Sequence, residues 1–369
     1  MTSRRNLTLG SAAALLTTAC GGMRARAIDV PGAVVSDWPL AAPERQAIDA
    51  SALGRALDDG AALPALRGLV VVRNGMLVGE RYYNGAASGD LLAIHSATKS
   101  VTSMLVGQAL QQGVLPSLSA TVGQLLPEAA ARAPGSAVTR LTLQQILAGR
   151  TGLVYDWRTQ TTTLARTDDP LGMTLALAAD PAAGPAWSYN DAAVNLLAPI
   201  LSRAHGRDLA DVAARDLFAP LGIERFRWQR DGSGGVTAYG GLMLRTRDLA
   251  RLAWTMVDAG RWRGAQVVPA AWVAESTRSR GPADWRVSPV TDIGYGDLWF
   301  TGLLHGRRMA WGWGYGAQFA VLVPELRLAV ATAASAPPIN DLGTQNNAVM
   351  ALVARVVRAT AEAPRAGLG

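Results

Sequence analysis

Cysteine is almost missing from this chain: Cys20 is the one example in 369 residues. That excludes an intrachain disulfide, a CxxC zinc site and a thiol nucleophile in the body of the protein. Histidine is nearly as scarce, at His95, His205 and His305. With no H-E-x-x-H and three scattered imidazoles, no metal site is expected; His95 reads as a packed or capping residue. Charged residues make up only 17%, and no dense basic block is interleaved with aromatics. The formal charge of +7 therefore reads as scattered arginines on a solvated surface, without nucleic-acid binding. Lysine is the most informative shortage. All the basic residues but one are arginine, and Lys99 stands alone.

What is present describes a packed globule. Hydrophobic residues reach 49%, enough for one large domain or two intimately joined ones. The chain opens with Ser3-Arg4-Arg5-Asn6-Leu7, which resembles a twin-arginine export signal, followed by a weakly apolar stretch from Leu7 to Leu16. That stretch is roughly half the ~20 residues needed to span a bilayer. It ends at Leu16-Thr17-Thr18-Ala19-Cys20, a lipoprotein-like processing site in which Cys20 becomes the lipidated first residue. The expectation is an export signal over 1–19, a linker over 20–43 and one domain over 44–369. The protein is then an exported periplasmic or cell-envelope lipoprotein, touching the membrane only through that lipid.

Along the domain, Ala47 to Gly60 reads as a helix. The runs Gly68–Val72 and Met76–Tyr83 read as strands joined at Asn74-Gly75, a pair that tolerates positive φ. Helices follow at Ala97–Gln112, at Thr142–Leu147 from a threonine cap, at Asp191–His205, and at Thr246–Ala259 from Thr246. A second hairpin, Phe319–Val323 with Leu328–Thr332, precedes a terminal helix over Asn340–Ala361. The fold class is α+β: an antiparallel sheet flanked by N- and C-terminal helices, with an inserted all-helical region over about 100–237.

The chemistry concentrates at Ile94-His95-Ser96-Ala97-Thr98-Lys99. A serine opening a helix sits where free N–H groups and the helix dipole favour negative charge. Lys99, three residues on, lies on the same helical face, so its amine reaches the Ser96 hydroxyl and takes the proton as the oxygen attacks a carbonyl. The single lysine sharpens the motif. A guanidinium cannot lose its proton at usable pH, whereas a buried ammonium can. A Ser-His-Asp arrangement is not supported, since no G-x-S-x-G elbow is present.

The ordered blocks resemble the serine β-lactamase-like superfamily, in its class C-related esterase and amidase branch and most like the 6-aminohexanoate-dimer hydrolase type. They are Ser96–Ser100, Gln144–Leu153, Trp187–Asp191, Pro220–Ile223, Gly240–Leu242 with Asp248–Arg251, and Trp313–Gln318. The resemblance implies catalytic roles for Ser96, Lys99 and Tyr189, the last exchanging a proton with the leaving group. In that motif the third position is usually Asn but here is Asp191, which either holds Lys99 protonated or points away while Asn190 substitutes. Lys-Thr-Gly is impossible with one lysine. The matching segment is Trp313-Gly314-Tyr315, with the Tyr315 N–H as second oxyanion donor and Gly316 as fallback. Tyr155, Asp156 and Trp157 are placed on a loop over the site, with Trp187 and Trp313 as aromatic walls. Arg308 is the arginine considered for a substrate carboxylate.

The function implied is hydrolysis of small esters or amides through an acyl-enzyme on Ser96, with no cofactor. Two alternatives stay open: a D-alanyl peptidase or β-lactamase, and an inactive cell-wall-binding lipoprotein.

Overall fold

The computed structural model describes residues 27–33, 38–180 and 186–361. The segment read as an export signal, with Cys20, lies outside them. Seven antiparallel strands form the main sheet, in the order Met76–Tyr82, Leu66–Arg73, Leu328–Ala334, Gln318–Val323, Arg307–Gly314, Phe300–Leu304, Thr291–Tyr295. The first hairpin and the last strand join side by side within it, where Val71 pairs with Val330. The Asn74-Gly75 turn forms as expected, at φ 51 and 81.

Both faces of this sheet are covered, which explains the unbroken apolar runs. A Cβ on Gly68 would meet Thr246, whereas one on Gly79 would meet Leu53 and Leu57. Gly79 pairs with Val71, three residues from Gly68 and so on the opposite side of the pleat. Helix Thr246–Val257 therefore covers one face, and Ala50–Asp59 covers the other together with the terminal Leu342–Ala361 helix packed on it. Leu328–Ala334 is buried at every position, as a doubly covered strand must be.

Several expectations are corrected. The 20–43 segment is not wholly a linker, since Ile28 and Asp29 pair with Phe226 and Arg225 and Trp38 is buried against Trp262. The inserted region is not all helical: Arg225–Trp228 is a strand of a small second sheet that also holds Leu242–Leu244 and Leu92–Ala93. Asp191–His205 is two helices, Asp191–Asn195 and Leu197–His205, broken at Leu196. Thr246 does not cap its helix. Arg245 holds that position, and the Thr246 hydroxyl is buried against Gly68. Among the described residues, no helix is long and apolar enough to cross a membrane.

Candidate active site

Ser96 is positioned by the short strand before it and the helix after it. Leu92 and Ala93 pair with Leu244 and Met243, and the Ile94 N–H donates to Leu242 O at 3.0 Å. The chain then turns through a 3₁₀ segment, His95–Ala97, into helix Thr98–Gln111. His95 takes a left-handed φ of 47, and Thr98 Oγ1 donates to its carbonyl at 2.6 Å. Thr98 to Ala109 is buried throughout, so this helix is the molecule's central post and shows no polar face in sequence.

The Arg307–Gly314 strand lies directly against this post. A Cβ on Gly314 would fall 2.1 Å from Ile94 O, and one on Gly312 would fall 2.9 Å from Ser100 Oγ. The strand can pass beside the nucleophile turn because neither residue carries a side chain.

Lys99 Nζ lies 3.1 Å from Ser96 Oγ, 2.6 Å from Asp191 Oδ1 and 2.8 Å from Tyr239 O. An ammonium has three N–H donors, and three acceptors surround this one. Lys99 and Asp191 are each 3% exposed. Burial pushes the amine below its ordinary value, while Asp191 pulls the other way by charge and hydrogen bond. The Tyr189 side chain lies near Ser96, and burial, then Asp191, holds its phenol well above the usual range. It is therefore protonated at rest, as a proton donor must be. Its ring centre is 4.6 Å from Lys99 Nζ.

Ser96, Lys99, Tyr189 and Asp191 thus come together from two distant stretches of chain. Of the two readings left open for Asp191, the structure has it on Lys99. Asn190 does not substitute, because its Oδ1 accepts from Ala193 N at 2.8 Å and caps the following helix. Its Nδ2 has no partner and lines a small cleft with Lys99, Trp187, Tyr189 and Tyr295.

Tyr155 is not presented to substrate. It is buried behind Asp191, its hydroxyl 3.1 Å from Thr161 Oγ1, which donates to Asp191 Oδ2 at 2.6 Å. Asp156 caps helix Trp157–Arg166. Tyr315 begins the turn after Gly314, beside the nucleophile turn, with its ring 6.1 Å from His95 and its hydroxyl on Pro337 O at 2.9 Å. Gly316 follows it at a φ of 80, where a Cβ would meet Pro337 and Ser335. Arg308 sits six residues before Gly314, about 20 Å along the strand, next to Glu325 in the far turn, and so has no place at the site.

Three participants were not singled out beforehand. Thr161 and the Tyr239 carbonyl carry no sequence signal, since a threonine on a helix and a backbone oxygen look like any others. Trp285 stacks on Tyr189 at 4.6 Å and on Phe300 at 5.5 Å, and meets Trp313 edge-on at 5.3 Å. Trp157 and Trp187 lie at 5.7 and 5.9 Å from it. The aromatic walls expected of Trp187 and Trp313 are therefore one continuous ring cluster with Trp285 at its hub.

The fold and this cluster define a protein of the serine β-lactamase and penicillin-binding architecture. The Beta-lactamase family model matches residues 55–355, and the chain belongs to that family. The 6-aminohexanoate-dimer hydrolase of Paenarthrobacter ureafaciens is 27% identical over 248 residues, 61% of this chain and 59% of that protein. The match thus spans less than two thirds of that relative's length. The D-amino acid amidase of Ochrobactrum anthropi SV3 superposes with a TM-score of 0.64 at 16% identity, over 84% of this chain and 97% of its own. A D-stereospecific amidohydrolase from Streptomyces sp. gives 0.62 at 18%, over 82% and 97%. These superpositions establish the shared fold.

Proposed function

We propose that the protein is a serine hydrolase cleaving small esters or amides through an acyl-enzyme on Ser96. The observation that carries this reading is the Ser96 hydroxyl 3.1 Å from the buried Lys99 amine, with the Tyr189 ring centre 4.6 Å from that same amine. The free amine of Lys99 takes the Ser96 proton while Oγ bonds to the substrate carbonyl carbon. Tyr189 then protonates the departing alcohol or amine as the C–O or C–N bond breaks, and Lys99 returns the proton to Tyr189. Water releases the acyl group by the same path in reverse. The Ser96 and Tyr315 N–H groups receive the oxyanion, a contribution worth about 3–4 kcal/mol per donor.

The ring cluster around Trp285 favours an uncharged, apolar or aromatic substrate group beside Tyr189. The amide-cleaving relatives support the same reaction class. Export by the segment 1–19 and anchoring through lipidated Cys20 belong to this proposal and rest on the sequence of that segment.

A fluorophosphonate probe tests the nucleophile. It is expected to label the parent protein and not Ser96→Ala, and nitrophenyl esters to be turned over by the parent alone. Failure to label the parent would instead favour an inactive binding scaffold. Acylation of Ser96 by labelled penicillin within seconds would favour a cell-wall peptidase or β-lactamase.

A further inference from the structure

Asp191 stands where the family motif usually has an amide, and its surroundings show that it is held rather than tolerated. Oδ1 is 2.6 Å from Lys99 Nζ and Oδ2 accepts from Thr161 at 2.6 Å, with Tyr155 behind Thr161 at 3.1 Å. Residues from the Trp157–Arg166 helix and the loop before it thus hold a carboxylate on the first turn of Asp191–Asn195. An amide at 191 would offer Lys99 an oxygen acceptor but no charge. A carboxylate favours the ammonium, the form that cannot accept the Ser96 proton.

We infer that Asp191 is a positioning residue, fixed by Thr161 and Tyr155, that keeps the proton on Lys99 and thereby sets the lower pH boundary of Ser96 acylation. This inference rests on the hydrolase reading above. It places the activity of this chain further toward alkaline pH than an Asn at the same position would.

The other ionisable groups near the amine do not titrate in the same range. Tyr189, Tyr239, Tyr155 and Tyr295 all have phenols pushed upward by burial, so they stay neutral. His95, in the turn before the helix, is pushed down to about 4 by burial. Among the described residues, the charged group facing Lys99 is Asp191.

The lone lysine makes the test direct. Protein grown on ε-13C-lysine gives one side-chain resonance, that of Lys99, whose titration is read without turnover. Asp191→Asn is expected to move the Lys99 midpoint down by about 1–3 pH units, and the acid limb of kcat/KM for a nitrophenyl ester to move with it. Asp191→Glu, which restores the charge, is expected to bring both back toward the parent.

A midpoint that stays within about 0.3 unit in Asp191→Asn, or Asn and Glu variants that titrate alike, would overturn the inference. A variant damaged only in packing would lose rate without moving the limb, and that outcome also counts against it. Fluorophosphonate labelling of the same samples reports separately on the hydrolase reading. Labelled Ser96 with an unmoved lysine sinks Asp191 alone, whereas absent labelling in the parent sinks the reaction.

Discussion

Replacing Lys99 by methionine keeps an unbranched side chain, one atom shorter, and removes its charge. The Asp191 carboxylate, 3% exposed, would keep its Thr161 hydrogen bond and lose its cation. Breaking a buried pair from one side costs about 3–5 kcal/mol, because the remaining ion is left uncompensated. With an unfolding entropy of ~2.1 cal/mol/K per residue over roughly 330 folded residues, that corresponds to a fall in Tm of about 4–7 °C. The double variant Lys99→Met/Asp191→Asn removes both charges and is expected to recover at least about half of the loss, although it is as inactive as the single one. Differential scanning fluorimetry and urea titration of the parent, both single variants and the double complete the cycle. A Lys99→Met variant within about 1 °C of the parent, or a double variant losing the full sum of the singles, would falsify the buried ion pair.

Gly314→Ala is expected to abolish fluorophosphonate labelling and to lower Tm by several degrees, since its Cβ would meet Ile94 O at 2.1 Å; labelling at the parent's rate refutes the close strand approach. Trp285→Ala is expected to raise KM for aromatic acyl esters about tenfold while acetyl esters change little, from the loss of the stacked hub. Equal changes for both esters would remove Trp285 from substrate selection. His95, with its value held near 4 against an ordinary 6.5, is neutral in the native state while the unfolded chain takes up a proton between those values. Its contribution is therefore full above about pH 6.5 and declines as pH falls, by up to ~1.4 kcal/mol per pH unit. His95→Asn, which suits the left-handed backbone, should flatten that decline between pH 7 and 5 in urea titrations; parallel curves for parent and variant contradict it.

Short-range features were legible in the sequence because their causes are local. The Asn74-Gly75 hairpin follows from the φ preferences of two residues, and the Thr142 cap with Gln145 three residues on follows from one turn of helix. Ser96 and Lys99 share a helical face at a spacing of three whatever surrounds them, and a single lysine among arginines marked which cation had to be able to lose its charge. Strands Thr291–Tyr295 and Phe300–Leu304 were less legible, since Gly294 and Gly302 interrupt the apolar pattern that would have announced them. Both glycines are there because a Cβ would meet neighbouring backbone at less than 3 Å, a reason that exists only after the sheet is assembled.

The partners of the lysine were decided by tertiary structure. Thr161, which holds Asp191, and the Tyr239 carbonyl lie 62 and 140 positions from Lys99, and nothing in their own neighbourhoods points toward it; Asp191, 92 positions away, carried a motif signal that left its orientation open. Spacing can say that an amine reaches a hydroxyl one turn away. Whether that amine is charged depends on its desolvation and on the carboxylate set against it, and both are properties of the packed interior.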